Sequence, residues 1–181
     1  RQHWERLETG ELTRDQVQEG RFRVLFQELG RTVDPVQVTR TYERNLGIGH
    51  YFLPGAEEAV QSLHKKYRLF LASNGTASVQ HSRLTSAGLY PYFEKVFVSQ
   101  DIGYNKPARD YFEACFRQIP DFCPERAIMV GDSLTSDILG GINAGIRTCW
   151  VNPAHAPARA NILPDYEIEN LSQLEEVLKT L

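Results

Sequence analysis

The chain has 181 residues with a formal net charge of −3 at pH 7, and 41% of the residues are apolar and 24% charged. These values are typical of a globular protein with one sizeable core and room for a small insert. The slight negative charge, without a Lys/Arg stripe, argues against a nucleic-acid partner. No apolar run approaches the length of a membrane span, so we expect no membrane partner either.

The chain has three cysteines, an odd number whose spacing does not match a metal site. Cys115 and Cys149 fall within apolar patterns, which predicts reduced thiols in the core. Reduced cysteines are typical of cytosolic proteins, so we expect a cytoplasmic protein. For the oligomeric state the expectation is a monomer or a homodimer.

Residues 1–50 show helical patterns only. Thr13 and Gln16 fit a capping box, and Asp34 followed by Pro35 is a second helix start. Between these starts the apolar residues fall at helical spacing and form one apolar stripe of Phe22, Leu25, Phe26 and Leu29. A stretch rich in Gly and Pro at 47–55 follows and predicts a boundary. Residues 1–50 are therefore interpreted as a helical unit, and residues 51–181 as a separate unit with a different pattern.

After this boundary, strand and helix patterns alternate. Strands are predicted at 67–72, 95–99, 127–131 and 147–151, with a short apolar piece near 166–168. Helices are predicted at 56–66, 76–87, 108–119 and 134–144, and a last helix begins at Asn170. This alternation predicts an α/β fold with a doubly wound, Rossmann-like parallel sheet. In such sheets ligands bind beyond the carboxyl ends of the strands.

Two carboxylates follow the predicted strand 127–131. Asp132 comes directly after Gly131, and Asp137 lies five residues further on, near the start of a helix. Two acids that converge at a strand end suit a hard cation such as Mg²⁺, which takes oxygen ligands and usually bridges to phosphate. The alternative is that the strand-end Asp merely caps the following helix.

Two other predicted strands are also followed by candidate site residues. Ser73 ends an apolar run, and Asn74 and Gly75 open the next helix, where a hydroxyl and free backbone N–H groups form an anion site. Lys106 precedes Pro107 in a loop and could neutralise a phosphoryl group. Read singly, Ser73 could be a helix cap and Lys106 a solvated charge. Their order along the chain, together with the acids, favours a phosphate site.

With these residues in place, the chain resembles the haloacid dehalogenase (HAD) superfamily of phosphohydrolases. The stretches that resemble its second, third and fourth motifs are LFLASNG, NKP and MVGDSLTSD. A narrower similarity, to the YjjG-like pyrimidine 5′-nucleotidase branch, rests on four longer stretches: WERLETGELTRDQVQEGRF, SNGTASVQHSRLTSAGLYPYF, NKPARDYFE and GDSLTSDILGGINAGIRTCWVNP. The resemblance covers all 181 residues and implies that residues 1–50 are the C-terminal part of an inserted helical cap and residues 51–181 a HAD-like core.

The resemblance also implies roles for these residues. Ser73 would bind phosphate, helped by backbone groups of Asn74 and Gly75. Lys106 would steady the nucleophile and the phosphoryl oxygens. Asp132 would ligate Mg²⁺, and Asp137 would support the metal site through water or Lys106.

The chain departs from the family in one respect. The first family motif, Asp-x-Asp-x-Thr on an N-terminal strand, supplies the attacking aspartate, and no Asp-x-Asp occurs in this sequence. In the family that strand lies between the strands that here end at Ser73 and Asp132. We therefore expect the natural protein to begin about 40–50 residues earlier, from ordinary element and loop lengths. Residues 1–181 alone are expected to be inactive.

The implied function is a Mg²⁺-dependent phosphohydrolase that acts on nucleoside 5′-monophosphates through an aspartyl-phosphate, its nucleophile lying upstream of residue 1. One alternative is a phosphatase of the same superfamily acting on a sugar phosphate or on phosphoglycolate. Another is a catalytically silent relative that binds a phosphorylated ligand or a protein partner. Neither the preferred base nor the physiological role follows from the sequence.

Overall fold

The computed structural model describes residues 2–181. Its first part consists of three helices: α1 (Gln2–Glu8), α2 (Arg14–Glu28) and α3 (Pro35–Ile48). Both predicted helix starts are confirmed. The Thr13 backbone N–H donates to Oε1 of Gln16 at 2.8 Å while the Gln16 N–H donates to the Thr13 hydroxyl. Asp34 caps α3 by accepting from the N–H of Val36 at 2.9 Å.

The apolar stripe predicted on α2 is not buried. Leu25 is 45% exposed and Leu29 is 61% exposed, whereas the buried residues of α2 are Val17 and Gln18 in its first half. It is this first half of α2 that meets the α/β part of the molecule. There the Gln18 amide reaches the hydroxyl of Thr76, 58 residues away in the sequence.

The second part alternates strands and helices, as predicted. The strands are β1 (Phe70–Ser73), β2 (Lys95–Val98), β3 (Ile128–Gly131), β4 (Arg147–Val151) and β5 (Tyr166–Ile168). The helices are α4 (Ala56–Leu63), α5 (Ala77–Ser86), α6 (Ser99–Ile102), α7 (Arg109–Phe116), α8 (Leu139–Ala144) and α9 (Leu174–Leu178). A 3₁₀ turn, capped by Asn170 as predicted, leads into α9. None of the helices among residues 2–181 is both long and apolar enough to cross a membrane.

All strand pairs are parallel. β1 pairs with β2, and β3, β4 and β5 pair in that order. Within residues 2–181 no backbone ladder joins β1 to β3. The registers align Ser73 with Val98 and Gly131 with Trp150, so within each group the strands end together.

Helices cover both faces of the strands, because alternate residues of β3 pack into different apolar clusters. Ile128 and Val130 pack into an apolar cluster that contains Cys149 of β4 together with residues of α4 and α9. Met129 packs into a different cluster, which contains Cys115 of α7. Side chains of a strand point alternately to its two faces. The doubly wound α/β fold predicted from the sequence is confirmed, and both cysteines are buried and free, as expected.

One predicted helix, 134–144, is regular only in its second half. Its first part, Leu134–Ile138, is a π-helical turn that precedes α8. The Ser133 carbonyl accepts from the N–H groups of both Asp137 and Ile138, at 2.8 and 3.1 Å, which produces the wider turn. Such turns are frequent at functional sites.

Candidate active site

A buried ion pair lies at the carboxyl ends of β1 and β3. Lys106 is 5% exposed and Asp137 is 6% exposed, and Nζ of the lysine lies 2.6 Å from Oδ1 of the aspartate. The ammonium also donates to the carbonyl of Ala72 in β1 at 2.7 Å. Because removing a charge from water is costly, a buried ammonium requires partners of this kind. Lys106, interpreted from the sequence as a site residue, thus meets Asp137, which the sequence places 31 residues later.

The carboxylate of Asp137 folds back over the end of β3. Its Oδ2 accepts from the N–H of Ser133 at 3.1 Å. A Cβ added to Gly131 would lie 2.3 Å from the same oxygen, so glycine is needed at this strand end for the carboxylate to approach. Asp132, which lies between Gly131 and Ser133 in the chain, is exposed. Its backbone carbonyl accepts a hydrogen bond from Nε1 of Trp150 at 3.0 Å.

Ser73 is arranged to donate a hydrogen bond. Its hydroxyl oxygen accepts from the Gly75 N–H at 3.0 Å and from Nε2 of Gln80 at 2.9 Å. With both lone pairs in use, the hydroxyl proton remains for another acceptor, such as a phosphate oxygen. The alternative interpretation of Ser73 as a helix cap is wrong, since the N-cap of α5 is Thr76.

Asn74 holds the Lys106 loop through its side chain. Its Oδ1 accepts from the Lys106 N–H at 2.9 Å, and its Nδ2 donates to the Lys106 carbonyl at 2.8 Å. Nδ2 also lies 3.3 Å from the hydroxyl of Ser136 in the π-helical turn. The sequence analysis expected only backbone groups of Asn74 to matter. The structure adds a side chain that joins the loops after β1 and β3 to the lysine.

Three further residues at this edge were not among the site residues predicted from the sequence. Gln80, as described above, donates to Ser73. Arg14 reaches the same loop from α2, with its guanidinium donating to the carbonyl of Gly75 at 2.5 Å. Glu8 lies at the end of α1, where burial raises the pKa of its carboxyl and the neighbouring Thr135 hydroxyl opposes the rise. Contacts of Arg14 and Glu8 join sequence-distant segments, so spacing along the chain could not reveal them.

The residues present fit part of a magnesium site. Among residues 2–181, no three His, Cys, Asp or Glu side chains cluster as a ready-made metal site. Proteins usually hold Mg²⁺ with one or two carboxylates, water and substrate phosphate, so a full cage is not required. The exposed carboxylate of Asp132 can act as such a ligand, whereas both oxygens of Asp137 are engaged by Lys106 and Ser133. The assignment of Asp132 and Asp137 to a metal site stays a prediction.

Comparison with known proteins identifies the family. Residues 5–151 match the family model described as haloacid dehalogenase-like hydrolase. The match spans most of the chain and includes every residue of the site just described. The chain belongs to this family of hydrolases, as the resemblance implied.

Curated relatives lie in the expected branch. YfnB of Bacillus subtilis, named as a HAD-hydrolase, is 40% identical over 175 residues, which are 97% of this chain and 74% of that protein. Pyrimidine 5′-nucleotidase PynA of Streptococcus pneumoniae is 36% identical over 176 residues, covering 97% and 74%. Pyrimidine 5′-nucleotidase YjjG of Escherichia coli is 32% identical over 175 residues, covering 97% and 77%. The predicted YjjG-like branch is confirmed, and these relatives support a phosphatase that acts on a small molecule.

Among solved structures, magnesium-bound YfnB from Bacillus subtilis superimposes with a TM-score of 0.92 at 40% identity, covering 97% of this chain and 77% of that one. That structure is described as revealing interdomain movement. The HAD fold of this chain is therefore shown by structure as well as by sequence.

Proposed function

We propose that the full-length protein is a Mg²⁺-dependent phosphohydrolase that removes phosphate from nucleoside 5′-monophosphates. The observation that carries the proposal is the buried Lys106–Asp137 pair at the strand ends, next to the hydroxyl proton of Ser73. A cation and a hydroxyl donor together suit a phosphate dianion. The two relatives named pyrimidine 5′-nucleotidases support a nucleotide as the substrate.

The proposed roles follow from the contacts. Ser73 donates its hydroxyl proton to a phosphoryl oxygen, with the backbone around Asn74 and Gly75 beside it. Lys106 offsets the negative charge of the phosphate and is itself oriented by Asp137 and by the side chain of Asn74. Asp132 is the residue that would hold Mg²⁺, which when bound would neutralise further charge on the phosphate.

The attacking carboxylate comes, in this proposal, from outside residues 1–181, because the sequence has no Asp-x-Asp pair. This carboxylate displaces the nucleoside from phosphorus and becomes an aspartyl-phosphate, and the departing 5′-oxygen takes up a proton. Water then cleaves the acyl-phosphate to give free carboxylate and inorganic phosphate. Residues 1–181 alone are accordingly expected to show no phosphatase activity.

Residues 1–50 are proposed to serve as a cap over a core of residues 51–181. α3 packs along α5, where the hydroxyl of Ser82 donates to the carbonyl of Gly47 at 2.7 Å. A cap held in this way would exclude water from the strand ends during catalysis. The free, buried Cys115 and Cys149 favour a reducing compartment, for which we propose the cytoplasm.

A substrate panel with purified full-length protein tests the proposal. We expect Mg²⁺-dependent release of phosphate, fastest from nucleoside monophosphates. Preference for a sugar phosphate or phosphoglycolate would replace the proposed substrate with the alternative phosphatase. No release from any compound would favour the catalytically silent relative.

Two variants test the assigned roles. Asp132→Asn and Lys106→Ala are each expected to lower kcat by about 10²–10³-fold, the usual effect of removing one electrostatic stabiliser of a transition state. Matched controls are Asp101→Asn and Lys95→Ala, which change exposed residues. Wild-type rates in Asp132→Asn would overturn the metal assignment. A change confined to KM in Lys106→Ala would leave that residue a substrate-binding role only.

A further inference from the structure

Arg14 connects the first turn of α2 to two loops of the α/β part and to the first residue of α6. Its Nη1 donates to the carbonyl oxygens of Asn74 and Gly75, and the distance to Gly75 is 2.5 Å. Its Nη2 donates to the hydroxyl of Ser99 at 2.5 Å and to Oδ1 of Asn105 at 3.3 Å. A planar guanidinium presents several donors in a fixed fork, so these acceptors fix its orientation closely.

Local helix chemistry does not account for the position of this arginine. Arg14 is the first residue of α2, where the helix dipole disfavours a cation. The side chain is half-buried, and this burial lowers the pKa of its guanidinium, an effect that Asp15 and Glu43 oppose. Contacts with the loops, rather than the helix, therefore keep the charge in place.

The two carbonyls that Arg14 holds belong to the loop at the end of β1. In a trans peptide the C=O and N–H groups point in opposite directions. With the Asn74 and Gly75 oxygens turned towards Arg14, the N–H groups of Gly75 and Thr76 face away from it. The Gly75 N–H indeed reaches the hydroxyl oxygen of Ser73, at 3.0 Å. Arg14 thus holds the loop on one side, and the Gly75 N–H lies on the side of Ser73.

We propose that Arg14 is a positioning residue, which fixes residues 73–76 in the orientation that binds phosphate once the cap is seated on the core. The inference rests on the proposed function, because it assigns phosphate to this loop. Through Asn74 the same contact extends to the Lys106 backbone. A cap that moves away takes Arg14 with it, so the loop is held in this orientation only while the site is covered.

Binding of inorganic phosphate to the full-length protein, measured by calorimetry, tests the proposal without relying on turnover. Arg14→Ala is expected to weaken phosphate binding about tenfold, the effect of one good hydrogen bond on an equilibrium constant. Arg14→Lys is expected to recover only part of the affinity, because an ammonium lacks the planar fork. The amide NMR signals of Gly75 and Thr76 are expected to shift in both variants.

The matched control is Arg159→Ala, which removes another contact between the two parts, the exposed Arg159–Glu5 ion pair, without touching the loop. Phosphate affinity equal to wild type in this control is the expected result. Equal weakening in Arg14→Ala and Arg159→Ala would overturn the proposal, since it would make Arg14 one docking contact among others. Unchanged phosphate affinity in Arg14→Ala would overturn it too, as would a wild type that binds no phosphate.

Melting temperatures of the variants separate folding from positioning. If Arg14→Ala unfolds at the assay temperature, Arg14→Lys is compared with wild type instead. Wild-type phosphate affinity and unshifted amide signals of Gly75 and Thr76 in Arg14→Lys would then overturn the inference. The proposed function fails in a different experiment, when wild-type protein that does bind phosphate hydrolyses no monophosphate. The two failures are therefore distinguishable.

Discussion

The Lys106–Asp137 pair makes a quantitative prediction about stability. Both side chains are almost fully buried, and their charged atoms lie 2.6 Å apart. Replacing Lys106 by Met leaves the Asp137 carboxylate in the interior, where the Ser133 N–H is its one remaining hydrogen-bond donor among residues 2–181. Breaking one side of a buried pair costs about 3–5 kcal/mol, because the remaining charge is uncompensated. Asp137→Asn is expected to cost a similar amount, since it leaves the ammonium unpaired.

The double variant Lys106→Met/Asp137→Asn removes both charges. Neutral replacement of a buried pair is often close to neutral for stability. The double variant is therefore expected to be more stable than the sum of the two single effects implies, by at least about 3 kcal/mol. For a chain of this size about 3 kcal/mol corresponds to a shift in Tm of roughly 6–12 °C.

Urea unfolding followed by circular dichroism measures these free energies in all four proteins. Lys179→Met is the control, because it breaks an exposed pair with Glu176 and is expected to leave the unfolding curve unchanged. Additive effects of the two single changes would refute the reasoning, since coupled charges cannot contribute independently. A Lys106→Met protein as stable as wild type would refute it equally.

Three further predictions concern Gly131 and the cysteines. Gly131→Ala is expected to displace the Asp137 carboxylate and to lower both Tm and kcat, because its Cβ would fall 2.3 Å from Oδ2; a silent change would contradict the close approach. Burial raises the pKa of Cys115 to about 12 and that of Cys149 to about 11, so the folded state keeps protons that the unfolded state loses. The free energy of unfolding should therefore fall as the pH rises from about 9, by up to about 1.4 kcal/mol per pH unit for each thiol, until the pH reaches about 11 for Cys149 and about 12 for Cys115. An unchanged urea midpoint over this range would contradict the prediction. Cys123, which is partly exposed, should react first with Ellman's reagent, and simultaneous labelling of all three thiols would contradict the packing.

The sequence predicted those parts of the structure that depend on neighbouring residues. Helix starts at Thr13, Asp34 and Asn170 were found because a cap is formed within three or four residues. The order of strands and helices followed from apolar periodicity for the same reason. The contact between Lys106 and Asp137 was one of the arrangements that the resemblance to the HAD superfamily implied, and the structure contains it.

Other features depended on contacts that periodicity does not encode. The stripe that includes Leu25 and Leu29 has helical spacing, but spacing shows only that a face is apolar, not what covers it. The π-helical turn before α8 arises from Ser133, whose carbonyl accepts two N–H groups and whose hydroxyl accepts from the N–H of Ser136. A pattern that assumes 3.6 residues per turn cannot anticipate such a widening.

The residues that the sequence analysis missed show how the site is assembled from two parts of the chain. The end of β1 supplies Ser73 and the loop after α6 supplies Lys106, and both residues can be recognised from local motifs. Arg14 acts on the same loop from 60 residues away, through hydrogen bonds to carbonyl oxygens that every residue possesses. Main-chain acceptors leave no trace in the identity of the residues that carry them, so the sequence of the loop does not reveal that it binds Arg14. The residues that we propose to bind phosphate could therefore be predicted from family motifs, whereas the contacts that hold their loops become visible only in the structure.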